Sequence, residues 1–316
     1  MSKTKFFRTM AMILCITIFT AVPCYAAAYY SKTARLVDIT KVPGVSTAQG
    51  FAAGTTYLYS VKTNSADTKA VILKTNISSK KTVQLIDEDT GLAYNNYLGH
   101  GNDIALFGIN GSTNLYIVDR RSGSAKVTRV KMTGSTTYKR IGTYTTKFNG
   151  SNLSMSGVAG VSKSDSGVEL LFMRDETFYR GFIGVNATSG NVNLTKAFTM
   201  DRKNTLVNGK KVANLDRYIT QGIAYYNGKL YVTAHGATIQ PNVSAILVFD
   251  SPLAANNQGK ILQGSGTSFR ITSSSYSVYE IEGCGISNGT MYFNCNRKDP
   301  AGVRNQAICY FTDFSG

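Results

Sequence analysis

The residues able to do proton or ion chemistry fall at recurring points along the chain. There are two histidines. His100 stands in "GHGND", two and three residues before Asn102 and Asp103, and His235 closes the run "KLYVTAHG". Glu282 stands in "EIEGCGISNG". A histidine near carboxylates can serve general acid–base chemistry, so Asp103, Glu282 and His100 are the catalytic candidates. Cleavage of a glycosidic bond needs at least an acid and a partner carboxylate, and Asp103 with Glu282 offers that minimum. Two scattered histidines match no zinc spacing, so the sequence predicts no metal and no cofactor.

A second set of residues suits ligand binding. Polar residues recur at Gln49, Asn102, Ser156, Gln221 and Glu282. A short distance after each comes a basic position: Lys62, Arg120 with Arg121, Arg174, His235, and Arg297 with Lys298. Guanidinium groups hold carboxylates and phosphates through planar paired hydrogen bonds. The expected ligand-binding set is Gln49, Lys62, His100, Asn102, Asp103, Arg120, Arg174, Gln221, His235, Glu282 and Arg297. Solvated strand ends would look the same, so this pattern gains meaning only from the elements that carry it.

Those elements repeat. "TQGIAYYNGKLYVTAHG" reads as strand, Asn227-Gly228 turn, strand, because Asn-Gly between alternating runs is a strong hairpin signal. Echoes begin at "AQGFAAGTTYLYSVK", "GNDIALFGINGSTNLYIVDRR", "MSGVAGVSKSDSGVELLFMRD" and "IEGCGISNGTMYFNCNRK". The polar openers are spaced 53, 54, 65 and 61 residues apart. Such periods suit four-stranded propeller blades. Two further strand candidates follow each hairpin except the last, which has one, "QAICYFTD". The unpaired "ARLVDIT" near the start would complete that last blade. The sequence therefore predicts an all-β, five-bladed β-propeller closed by the N-terminal strand. In that topology the openers of the innermost strands and the closers of the second strands share one rim around the axis. Gly50, Gly157, Gly222 and Gly283 fit where inner strands crowd together.

The chain begins with Lys3, Lys5 and Arg8, an apolar run and "CYAAAYY", the pattern of a secretory signal peptide over residues 1–28. Residues 29–316 are then expected to form one domain, secreted or associated with the cell envelope, with no transmembrane segment after cleavage. The formal charge of +16 becomes +13 without the three leader cations, which favours anionic partners. Nucleic acid is disfavoured by the expected location and by the lack of a recognised binding module. Cys284, Cys295 and Cys309 allow one bridge within the chain or three small buried thiols.

The order of "AQGFA", "GHGND", "TQGIAYYNGKLYV" and "EIEGCGISNGTMYF" resembles the repeat of large secreted bacteriocins of the helveticin type and, in plan, five-bladed lectins. That resemblance implies action on, or attachment to, a bacterial envelope. The plan also resembles five-bladed glycosidases of the furanosidase type, which use three carboxylates at the axial mouth. Here Gln49 and Gln221 stand where further acids would be wanted. The expectation from sequence is a secreted recognition module, more an attachment protein than an enzyme, that binds an anionic glycan or cell-wall polymer at the axial mouth, with a protein partner as a further candidate. The alternatives are a bacteriocin-like protein and a propeller glycosidase using Asp103 and Glu282.

Overall fold

A computed structural model describes residues 28–121 and 123–316. The leader expected over 1–28 lies outside these residues apart from Ala28. Among the described residues the only helices are two short 3-10 turns, and none is long and apolar enough to cross a membrane.

The chain folds as an all-β propeller, with its sheets arranged in a ring. Five sheets carry four or more strands. Their inner strands are Thr47–Ala53, Asp103–Ile109, Gly157–Lys163, Ile219–Tyr226 and Val278–Ser287. Each inner strand packs against the next, and the last packs against the first. In sheets one to four the four innermost strands are antiparallel neighbours, and Ile261–Gln263 adds in parallel at the outer edge of the third. The fifth comprises Val278–Ser287, Thr290–Lys298 and Arg304–Phe311, with Thr33–Asp38 pairing antiparallel at its outer edge. Tyr29–Tyr30 adds in parallel to the outer strand of the fourth sheet.

Local sequence explains the repeat. At the inner hairpins Asn110-Gly111, Asn227-Gly228 and Asn288-Gly289, both residues have positive φ, the twist that lets a two-residue turn join strands of native twist. Apolar side chains on alternate positions fill the gaps between sheets. Leu171, Met173 and Phe178 of the third sheet meet Leu230, Val232 and Leu247 of the fourth. Phe293 and Cys295 of the fifth meet Ile246 and Phe269 of the fourth. Beside the axis Gly222 has no room for a side chain. A Cβ on Gly222 would lie 2.8 Å from Asp103 Oδ1 and 2.8 Å from the Glu282 carbonyl oxygen.

The three cysteines are free and buried, with the Cys295 and Cys309 sulfurs 4.0 Å apart. Of the two arrangements the sequence allowed, this is the one without a bridge.

Lys62 is fully buried and does not reach the mouth as a free cation. Its Nζ donates to the carbonyls of Ile39 (2.7 Å) and Thr40 (3.0 Å) and to Gln306 Oε1 (3.3 Å). It thereby ties the first sheet to the segment that follows Thr33–Asp38. No carboxylate lies among its partners, and burial lowers its pKa from 10.5 to about 8. Between these values the unfolded chain holds a proton that the folded chain has lost, so stability rises with pH. Unfolding experiments should show a gain of about 2–3 kcal/mol from pH 8 to 10. The gain should vanish in Lys62→Met, and a gain that persists there would assign the effect elsewhere.

Candidate active site at the axial mouth

Three of the five polar openers stand at bulges of the inner strands. Ladder register shifts between Ala48 and Phe51, between Thr220 and Ile223, and between Ile281 and Gly283. These bulges fall on Gln49-Gly50, Gln221-Gly222 and Glu282-Gly283. A bulge takes a residue out of strict alternation and re-aims its side chain.

One hydrogen-bonded chain joins the openers Glu282 and Gln221, and Asn102 and Ser156 form a separate pair. Asn296 holds the Ala48 backbone with both ends of its amide, accepting from the N–H (3.0 Å) and donating to the carbonyl (3.1 Å), and it also donates to Glu282 Oε1. Glu280 lies against Glu282 and accepts from Gln221 Nε2 at 2.8 Å. Arg120 Nη1 approaches Gln221 Oε1 at 3.5 Å. Asn102 donates to the Ser156 carbonyl. Gln49 Oε1 and Asn102 Oδ1 are buried with no hydrogen-bond partner among the described residues.

The two glutamates are unequal. Glu282 is 3% exposed. Burial, then the negative charge of Glu280, push its carboxyl well above the ordinary range, against the pull of Asn296 and Arg120. Glu280 is half-buried and lines a cavity of about 160 Å³ with Asn296, Lys298 and Arg304. Burial and the neighbouring Glu280 both favour the protonated form of Glu282, the means by which enzymes keep a carboxylic acid able to donate its proton. Glu280 is absent from the sequence-derived set. Its signal was a second carboxylate two residues before Glu282 on the same strand.

Asp103 is placed otherwise. It is fully buried; Oδ1 accepts from its neighbour Ile104 N–H (2.9 Å) and Oδ2 from Val158 N–H (2.9 Å) and Ile223 N–H (2.8 Å). Burial raises its pKa, and the three N–H donors oppose that rise. Oδ2 joins the inner strand of sheet two to those of sheets three and four, and Oδ1 is taken up within Asp103's own strand.

The remaining candidates divide. His100 Nδ1 meets Asp67 Oδ1 at 2.9 Å, in a loop. His235 is buried, with Nδ1 near the Val243 carbonyl (3.2 Å) and Ser244 Oγ (3.4 Å). Burial lowers its pKa, with Glu280 and hydrogen bonds to the Val243 and Tyr279 backbone opposing. Arg297 is 6% exposed, stacks over Tyr276 at 4.9 Å and donates to Asn305 and to Asp38, so it is committed within the fold. Arg121 is committed to Asp119. Arg120 and Arg174 are exposed, and of these Arg120 joins the axial network while Arg174 meets the Ser154 carbonyl (3.1 Å) and Asp175.

No protein-family profile matches the chain, and no curated protein sequence matches it. Solved structures do match. The GH43_1 enzyme from Xanthomonas citri, complexed with xylotriose, superposes with a TM-score of 0.51 at 10% identity, over 89% of this chain and 90% of that one. The tail fibre of Staphylococcus aureus phage P68 superposes with a TM-score of 0.52 at 13% identity, over 90% of this chain and 53% of the fibre. At these identities the likeness is one of fold. It replaces the helveticin-type and lectin resemblance drawn from short motifs, because the enzyme that shares the fold along nearly its whole length is a GH43 glycoside hydrolase. The bacteriocin-like reading goes with it. The expectation of a protein more for attachment than for catalysis is corrected in the same way, because the fold is one that an enzyme carries along nearly its whole length.

Proposed function

We propose that this chain is a secreted glycoside hydrolase acting on an acidic glycan at the axial mouth of a five-bladed propeller. The five sheets are its blades, Thr33–Asp38 closes the ring, and residues 29–316 form one domain. The observation that carries the reading is the Glu280–Glu282 pair in a hydrogen-bonded axial network. Glu282 protonates the departing glycosidic oxygen as the bond from the sugar carbon to that oxygen breaks. The pair is then left with two adjacent negative charges and becomes a base. It takes a proton from the water that attacks the oxocarbenium-like carbon, which restores the starting state.

The preference for an acidic chain rests on the rim. Arg120, Arg174, Lys298 and Arg304 are exposed, and three of them flank the axial network or the Glu280 cavity. The expected outcome is release of reducing ends from at least one of a panel of acidic and neutral polysaccharides. KM for an acidic chain should rise several-fold between low and high salt, because exposed charges are screened. Arg120→Gln should remove much of that salt dependence. Binding without release of reducing ends would overturn the hydrolase reading. Turnover that ignores salt would overturn the acidic preference alone.

A further inference from the structure

A second cavity lies at the other end of the molecule. In the third sheet Gly157 pairs with Met173 at the mouth end, and Lys163 pairs with Val168 at the far end. The core between the third and fourth sheets, with Met173, Leu171 and Phe198, closes the mouth end of the gap. Beyond Leu171 the gap opens into a cavity of about 640 Å³, walled by Glu169, Arg180, Phe182, Asn193, Lys196 and Gln258 and by the turn after the strand Gln240–Asp250. Its size falls within the range of small-molecule sites.

We propose that this cavity is a second carbohydrate-binding site, taking a short, uncharged oligosaccharide chain. Phe182 is 50% exposed, unusual for a phenylalanine, and is paired across the sheet with Glu169. The backbone at Gly167 lies under its ring: a Cβ there would be 2.5 Å from the ring carbon Cζ and 2.3 Å from the Ile183 carbonyl oxygen. One aromatic surface is thus held against the sheet beside the cavity, suited to the apolar face of a sugar ring. Arg180 Nε donates to Glu169 Oε1 (2.6 Å) and Ser162 Oγ to Glu169 Oε2 (3.1 Å). This pair cancels its own charge and leaves exposed Lys196 as the one net charge among the named wall residues, so no cluster of like charges marks a site built for an ion. It leaves further guanidinium donors and carboxylate lone pairs side by side. The amides of Asn193 and Gln258 each add a donor and an acceptor. Neighbouring sugar hydroxyls, which both donate and accept, require that alternation. The inference rests on the reading of the chain as carbohydrate-active, and it assigns a holding site remote from bond cleavage.

The test is a titration of the isotope-labelled chain with short oligosaccharides from xylan, arabinan, galactan and mannan, followed by amide NMR. The expected result is movement of the Gly181 and Phe182 backbone signals and the Gln258 side-chain signal with at least one sugar. Phe182→Ala should weaken that response about tenfold or more, Asn193→Ala should weaken it as well, and Glu282→Gln should leave it unchanged. If no sugar moves these signals, the site does not exist as proposed, even if the mouth signals of Gln221 and Asn296 respond and turnover is present. If the cavity signals respond while every polysaccharide stays uncleaved, the site stands and the hydrolase reading falls.

Discussion

Glu282→Gln is expected to lower kcat for glycan hydrolysis by about 10²–10⁴-fold, the usual contribution of a positioned acid–base group. Glutamine keeps the shape and can still accept from Asn296, so the axial network should survive, and the melting temperature should change little. What is lost is the proton delivered to the leaving oxygen. Glu280→Gln should also slow turnover, by a different route. Removing its charge and hydrogen bond removes two causes that hold the Glu282 proton in place, so activity should fail at a lower pH than in the parent. Substrates with an already good leaving group, such as a nitrophenyl glycoside, should depend less on Glu282. Steady-state kinetics on both substrate types separate these effects. Full activity in Glu282→Gln would remove the residue from the mechanism.

Asp103→Ala is expected to act on stability, with catalysis following only as the fold is lost. Its carboxylate is the acceptor for Val158 N–H and Ile223 N–H, which belong to two other sheets. Alanine leaves both donors buried without a partner, at about 1–3 kcal/mol each, so the loss should be about 3–5 kcal/mol. For a domain of this size that corresponds to a melting temperature lower by about 10 °C. Asp103→Asn should fall between the two, because an amide cannot accept at both ends. Calorimetry checks the claim. A variant that melts like the parent yet has lost turnover would return Asp103 to the catalytic set.

The contrast between these two acids marks what could be read in the sequence. The hairpins were legible because Asn-Gly turns and alternation are local signals, and polar–glycine pairs recur where the inner strands reach the axis. Asp103 was legible as an acid where the other inner strands carry glycine, and Glu282 as a polar residue opening an inner strand. Their different roles were not, because a role depends on what surrounds the carboxylate. Asp103 meets backbone donors contributed by strands 55 and 120 residues away, while Glu282 meets another carboxylate. The cations show the same limit. Lys62, Arg120, Arg174 and Arg297 occupy matching places in the repeat, and sequence gives no measure of burial at a strand end. Lys62 turns inward to carbonyl oxygens, and Arg297 stacks on Tyr276, whereas Arg120 stays exposed. The cavity at the far end had no motif, since its walls come from sheet positions and a turn far apart in sequence.

The central claim is that Glu282 holds a proton at neutral pH because Glu280 lies beside it in a buried site. The direct measurement is the carboxyl carbon signal of Glu282, assigned by comparison with Glu282→Gln and followed by NMR through a pH titration of the parent and of Glu280→Gln. The account predicts a protonated Glu282 at neutral pH in the parent and ionisation at lower pH once Glu280 is neutralised. A Glu282 that ionises in the ordinary glutamate range in both proteins would contradict it, and with it the assignment of this pair as the acid of the site.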